Sequence, residues 1–210
     1  MRLIKPMQPQ LLLVFDTETS GLGASDRPVE LGYVEMENGL EVKTHSALLK
    51  SVREIHPRAS EINGITMERL AAEGQDPKAE LEKFFEVVRK VVKRGGVLMA
   101  HNSSFDVKML NKLAVDVELE SPLTPTSVFC TMKSSMNQCQ LEPFRNGSWK
   151  YPKLSELADE LKVVYDPAVL HGAVQDCRLT ARCYIEAANK GWWGCDGPSA
   201  SGRGMPAGTV

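Results

Sequence analysis

An apolar run, Leu11 to Phe15, ends in Asp16-Thr17-Glu18 and then Gly21, and the rest of the chain is organised around it. A short continuous apolar run of this kind reads as a strand buried on both faces. Strand side chains alternate, so Asp16 and Glu18 share a face and Thr17 takes the other. Two acids on one face repel, and a folded chain that keeps them there needs a compensating cation. Gly21 then lets the chain turn sharply into a loop. Taken alone, the stretch suits a plain strand ending in acidic turn residues equally well, so the decision falls to the remaining chain.

With 210 residues and 42% hydrophobic content, the chain is ample for one domain with a sizeable core. A net charge of −2 means that any polyanion must be met locally, by a basic patch or by bound metal. The five cysteines include no C-x-x-C pair, which argues against a disulfide framework or a structural zinc site and for a reducing compartment. Met1 to Gln10 holds Pro6 and Pro9 and no apolar signal core, and no apolar run approaches membrane-spanning length. The expectation is a soluble intracellular protein, cytoplasmic or nuclear, with no membrane partner.

Pro28 to Met36 and Leu40 to Leu49 flank Glu37-Asn38-Gly39, a strong hairpin signal. Pro57 opens a turn of helix that Asn63-Gly64 closes, and Thr66 starts another brief one. Pro77 to Arg94 is the clearest helix, with Leu81, Phe84, Phe85, Val88 and Val91 at helical spacing and Gly95-Gly96 as its stop. Val97 to Ala100 reads as a strand, followed by a helix carrying Val107, Leu110 and Leu113. Ser127 to Thr131 reads as a further strand, Met132 to Pro152 as a long loop or small insertion, and Lys153 to Leu161 and Val174 to Asn189 as helices. Residues 190–210, rich in Gly, Pro and Ser, are expected to be a disordered tail after a domain spanning 1–189. This order predicts an α/β fold with a mixed sheet and an antiparallel hairpin at one edge.

Three further features fit the opening acids. Asp106 falls in the first turn after the strand Val97 to Ala100, where a βα unit places functional groups. Asp176 falls early in the last long helix, with His171 five positions before it. On a continuous helix those two would point roughly 140° apart, so they share a site only if His171 sits on the preceding loop, which Gly172 allows. If Asp16, Glu18, Asp106 and Asp176 converge, they cannot all stay ionised without cations, and all-oxygen ligands favour Mg²⁺ or Mn²⁺. Two such ions would stabilise an in-line phosphoryl displacement, with His171 as general base toward the attacking water.

Phe15-Asp16-Thr17-Glu18-Thr19-Ser20-Gly21-Leu22, His101-Asn102-Ser103-Ser104-Phe105-Asp106 and His171-Gly172-Ala173-Val174-Gln175-Asp176 together resemble the three motifs of the DEDDh (DnaQ-like) 3′→5′ exonucleases. That family includes the DNA polymerase III epsilon subunit and the three-prime repair exonucleases. The likeness runs from about Leu11 to Asn189 and takes in Ile62-Asn63-Gly64-Ile65-Thr66 as a weaker, substrate-side element. It implies a ribonuclease H-like three-layer α/β/α fold with a five-stranded mixed sheet. It also implies two divalent ions, Mg²⁺ or Mn²⁺, on Asp16, Glu18, Asp106 and Asp176, with His171 as general base. Thr19 and Leu22 match positions that contact the 3′-terminal nucleotide, Leu22 wedging against its base. Asn102 and Phe105 match positions beside the sugar and scissile phosphate, and Ile65 lines the same pocket. The implied partner is a nucleic-acid 3′ end, DNA rather than RNA on the wording of the first motif, within a polymerase or repair assembly.

Plainer readings stand beside these. Asp106 also suits a helix N-terminus, His171 a loop histidine bonded to backbone, and Leu22 and Phe105 ordinary cover residues. His101 is expected to pack under the site, and His45 and His56 to be surface residues. Lys133, Arg145, Lys150 and Lys153 around Phe144, Trp149 and Tyr151 suit either a strand guide or a solvated loop. Trp192-Trp193 is expected to cap the last helix against the body. No proline-rich insertion, membrane anchor or long polymerase-docking tail is visible, which argues against a close identity with either named group.

Overall fold

The computed structural model describes residues 11–143 and 147–193. Strand β1 (Leu11–Thr19) runs at the centre of a five-stranded sheet ordered β3-β2-β1-β4-β5. Its antiparallel neighbour β2 (Pro28–Glu37) turns at Asn38-Gly39 into β3 (Leu40–Leu48). Asn38 and Gly39 both take positive φ, 51° and 81°, as a two-residue hairpin turn requires. On its other side β1 pairs in parallel with β4 (Val97–Ala100), and β4 with β5 (Val128–Cys130).

The alternation of β1 sorts the layers. Leu11, Leu13 and Phe15 face helices α3 (Pro77–Lys93) and α4 (Ser103–Asp116), where Phe15 meets Phe84 edge-on at 5.4 Å. Leu12 and Val14 face α7 (Ala173–Asn189) with Val34, Met36, Cys177 and Tyr184. Helix α6 (Leu154–Leu161) packs outside α7 through Leu157, Leu161, Leu179 and Cys183. The result is the expected three-layer α/β/α arrangement, with the hairpin strand β3 at one edge.

Short helices α1 (Pro57–Asn63) and α2 (Met67–Glu73) start where the sequence predicts, and α1 also stops there. Gly64 ends α1 at φ 67°, and the Thr66 hydroxyl accepts from the Arg69 amide to open α2. Two expectations differ from the structure. The stretch read as a loop from Met132 opens with a helix, α5 (Thr131–Cys139). That helix buries Thr131, Ser135 and Cys139 at four-residue spacing, and Ser135 Oγ donates to the Thr131 carbonyl at 2.7 Å. A polar stripe carries no hydrophobic period, so pattern reading passes over it. His45, expected at the surface without a partner, stacks on Tyr33 and bonds Glu80 at 2.8 Å.

Trp192 and Trp193 behave as the sequence suggests. Trp193 stacks on Tyr184 with centroids 5.0 Å apart, and its indole N–H donates to the Ser134 carbonyl. Packing against the body therefore extends past Asn189 and includes Trp193. The rest of the expected tail lies outside the described residues, as do Phe144 and Arg145. Among the described residues no helix is long and apolar enough to cross a membrane.

One close contact matters for the site. A Cβ on Gly32 of β2 would lie 2.7 Å from the Ala173 carbonyl carbon and the Val174 nitrogen. Glycine here lets the first turn of α7 settle onto the sheet. Gly32→Ala is expected to destabilise the protein by about 1–3 kcal/mol, the usual range for overpacking. It should also lower activity, because α7 carries Asp176; a urea midpoint beside an activity assay checks both.

Candidate active site

Strand β1 outruns β4: their pairing covers only Leu12 to Val14 against Val97 to Met99. Beyond Val14 the edge of β1 is open, at the carboxyl ends of two parallel strands where α/β sheets place ligands. Asp16 and Glu18 continue the Leu12–Val14 face and look toward α7. There Asp176 joins them, and carboxylate oxygens of Asp16, Glu18 and Asp176 all lie within 4.8 Å of one another.

Asp106 arrives from the other layer, in the first turn of α4. Thr17, facing that layer, donates to one Asp106 oxygen from its hydroxyl at 2.8 Å and from its amide at 3.1 Å. The fourth carboxylate is thus anchored through the residue between the first two. It remains close enough to Asp16 that its charge is the largest of the neighbouring charges acting on that group.

The electrostatics follow from this crowding. Burial, then the charges of Asp106, Glu18, Asp176 and Glu30, push the Asp16 carboxyl well above the usual carboxylate range. Glu18 is pushed up to about 8, by burial first and then by Asp176, Glu30 and Asp106. Asp106 is pushed up to about 7, burial outweighing the bonds from Thr17. Burial raises Asp176 too, against the charge and backbone amide of His171. Among the described residues no lysine or arginine forms an ion pair with any of the four.

This is a poor place for anions alone and a good one for hard cations. The donors are all oxygen, and buried Asp176 Oδ1 has no hydrogen-bond partner. A carboxylate oxygen left bare inside a cluster of acids fits a missing ligand better than a folding role. The residues present therefore fit a divalent-metal site.

His171 stands on the segment before α7, as sharing a site with Asp176 requires, and it is exposed. The local geometry differs from expectation in one respect. Gly172 is extended at φ −122°, and His171 itself takes the left-handed conformation at φ 69°. A non-glycine residue held there costs backbone energy, a feature that concentrates at functional sites.

The other predicted contacts divide. Leu22 is 82% exposed on the loop after β1. Asn102, at φ 65°, precedes α4 with no side-chain cap bond, and Phe105 is half-buried one turn on. Thr19 is buried, its hydroxyl donating to the Gly21 carbonyl at 2.9 Å. Ile65 corrects the expectation that it lines the pocket: it is 1% exposed in a small core with Val29, Leu48 and Leu70. The Asn63 side chain explains the turn inward, accepting from the Ile65 amide at 3.0 Å while donating to the Thr19 carbonyl at 3.3 Å.

His101 packs as expected, bridging the Thr131 hydroxyl and the Pro152 carbonyl, and burial brings its pKa down to about 4. In the basic, aromatic segment, Lys133 donates to Ser104 Oγ and Lys150 is paired with Glu156. A fifth acid, Glu30, was not singled out from the sequence. It stands opposite Glu18 in the β1–β2 register, holding Ser46 Oγ at 2.7 Å and facing the Ala173 amide at 3.4 Å. The hairpin turn and the period-two alternation are the signals that would have found it.

A three-layer body with acids gathered where its central strand ends defines a ribonuclease H-like protein with a candidate metal centre. A family model described as Exonuclease (RNase_T) matches residues 13–184, and the chain belongs to that family, in its DEDDh form. The DNA polymerase III subunit epsilon of Pasteurella multocida is 29% identical over 192 residues, 85% of this chain and 68% of that relative. The PolC-type DNA polymerase III of Mycoplasmopsis pulmonis is 26% identical over 179 residues, 84% of this chain. The chain spans only 11% of that relative's length. Among solved structures, Exonuclease X in complex with 5′ overhanging duplex DNA superposes with a TM-score of 0.63 at 26% identity. That match covers 88% of this chain and 95% of the other. Escherichia coli Exonuclease I in complex with a dA16 oligonucleotide gives 0.66 at 17% identity over 85% of this chain and 40% of the other, a likeness of fold.

Proposed function

We propose that this chain is a metal-dependent 3′→5′ exonuclease that hydrolyses the terminal phosphodiester of a DNA strand and releases nucleoside 5′-monophosphates. The observation that carries the reading is the meeting of Asp16, Glu18 and Asp176 oxygens within 4.8 Å, with Asp106 beside Asp16 and His171 at the rim. Asp16, Glu18, Asp106 and Asp176 would hold two divalent ions, Mg²⁺ or Mn²⁺. When bound, such ions supply Lewis-acid stabilisation of the charge that develops on the phosphoryl oxygens.

The chain's own residues do the rest. An imidazole nitrogen of His171 takes the proton from the attacking water, and its exposed position gives it access to solvent and to the strand end. Leu22 lies against the terminal base. Asn102 and Phe105 border the sugar and the scissile phosphate, and Thr19 shapes the loop through Gly21 instead of reaching outward.

Support for DNA comes from the relatives: a polymerase III epsilon subunit, and a 26%-identical Exonuclease X structure that holds duplex DNA. The polymerase III epsilon subunit and PolC relatives support association with a polymerase. Matched single-stranded DNA and RNA oligonucleotides, assayed with Mg²⁺ and with products resolved by chromatography, test the substrate. DNA turnover to mononucleotides at the higher rate is expected. Faster RNA turnover would overturn the DNA assignment, and tight binding of both without turnover would favour a non-catalytic binding module.

A further inference from the structure

The loop of residues 20–27 is exposed at its tip yet tied down by charged side chains on two sides. From inside, the Asp26 carboxylate accepts from Ser20 Oγ at 2.8 Å and from the Gly23 amide at 2.5 Å. From the base, Arg27 Nη1 donates to the carbonyls of Ala24, Ser25 and Asp26 at 3.2, 3.1 and 3.0 Å. The same guanidinium forks onto Asp116 through Nε and Nη2. Beside it, Lys112 Nζ donates to the carbonyls of Gly23 and Asp26 at 3.3 and 2.9 Å. Five loop carbonyl contacts and a two-pronged ion pair leave the backbone little freedom before any ligand arrives.

What this loop presents is Leu22, 82% exposed and burying almost nothing in the free protein. Fixing a loop only to hold an apolar side chain in water has no folding benefit. Lys112 and Asp116 lie on α4, the helix whose first turn carries Asp106. Ten residues separate Asp106 from Asp116, so α4 spans about 15 Å between the acid cluster and the anchor of the loop.

We infer that Arg27, Asp116 and Lys112 are positioning residues: they index Leu22 to the acid cluster through α4, so that the terminal nucleotide is separated from its neighbour at a fixed distance from the site. This rests on the exonuclease reading above. Holding a group that contacts the substrate in register is the kind of effect in which small displacements far from the chemistry are costly. Arg27 is largely covered, whereas the Asp116 side chain is 41% exposed, so removing the Asp116 carboxylate leaves the fold intact.

The test compares two substrates: a single-stranded oligodeoxynucleotide, and the p-nitrophenyl ester of thymidine 5′-monophosphate, which has no neighbouring base to be separated from. Asp116→Ala is expected to lower kcat/KM on the oligonucleotide on the order of tenfold while ester turnover stays within about twofold. Hydrogen exchange at the Gly23 and Arg27 amides should speed up in the same variant, and Asp116→Glu should restore much of the oligonucleotide rate. In a cycle with Leu22→Ala the two losses should not add, because both act through one contact. Additive losses, equal losses on both substrates, or an unchanged oligonucleotide rate would overturn the clamp. If the unaltered protein with Mg²⁺ turned over neither substrate, the exonuclease reading itself would fall, and the clamp with it.

Discussion

Asp16→Asn is expected to make the metal-free protein more stable and, in the same molecule, to abolish turnover. The carboxyl at position 16 is desolvated and faces Asp106, Glu18, Asp176 and Glu30, all of its own sign. An isosteric amide keeps the shape and removes the repulsion. The gain should be on the order of 0.5–2 kcal/mol at neutral pH, the usual range for a stabilising substitution, and so about a few degrees in Tm. Activity should fall on the order of 10³-fold or more, because a site missing one central oxygen anion loses several kcal/mol of transition-state stabilisation.

The same crowding fixes a pH dependence. Glu18 titrates near 8 in the folded protein against 4.5 for the free side chain, and Asp106 near 7 against 3.8. Folded-state values raised above the unfolded ones mean that the folded protein holds protons the unfolded chain has released. The stability they contribute is complete below about pH 4 and is lost as pH rises through 7 to 8. Metal-free protein should therefore melt at progressively lower temperature between pH 5 and 9 in differential scanning fluorimetry. Added Mg²⁺ should raise Tm most at the alkaline end, where the acids are ionised. In Asp16→Asn both the pH slope and the Mg²⁺ response should shrink.

His171→Ala should separate chemistry from metal binding. Removing a general base lowers kcat by about 10²–10⁴-fold, while the Mg²⁺-induced rise in Tm should persist because the four acids are untouched. The backbone adds a complication, since position 171 sits at φ 69°. Alanine is strained there and glycine is not. His171→Gly is therefore the cleaner variant: it deletes the imidazole while relieving the backbone. Loss of turnover in both variants assigns the effect to the ring. Recovery in the glycine variant would assign it to the backbone instead and remove His171 from the proton transfer.

Most of the sheet was legible because its signals are local. Asn38-Gly39 announces the hairpin, Pro77 and Gly95 bracket α3, and the alternation in β1 places Asp16 and Glu18 together. The acid set was legible from motif spacing because each member lies at the end of an element whose identity was clear. What escaped either carries no hydrophobic period or depends on specific side-chain contacts. Helix α5 is held by a stripe of Thr131, Ser135 and Cys139 that no hydrophobic period reveals. Ile65 turns into the core because Asn63 ties its amide, and His45 finds Glu80 across 35 positions of sequence. Glu30 was reachable by counting the register from the turn to Glu18, a step that needs β2 to be read as facing α7. The loop network of Arg27, Lys112 and Asp116 joins residues 89 positions apart and leaves no pattern at all.

Metal held on these acids is expected to support removal of nucleotides from a 3′ end. A 5′-labelled single-stranded oligodeoxynucleotide, incubated with Mg²⁺ and resolved on a denaturing gel over time, tests it most directly. The expected result is a ladder that shortens one nucleotide at a time from the 3′ end, abolished by EDTA and absent with Asp16→Asn. A full-length band that persists, immediate release of the labelled 5′ nucleotide, or an equal ladder from Asp16→Asn would contradict it.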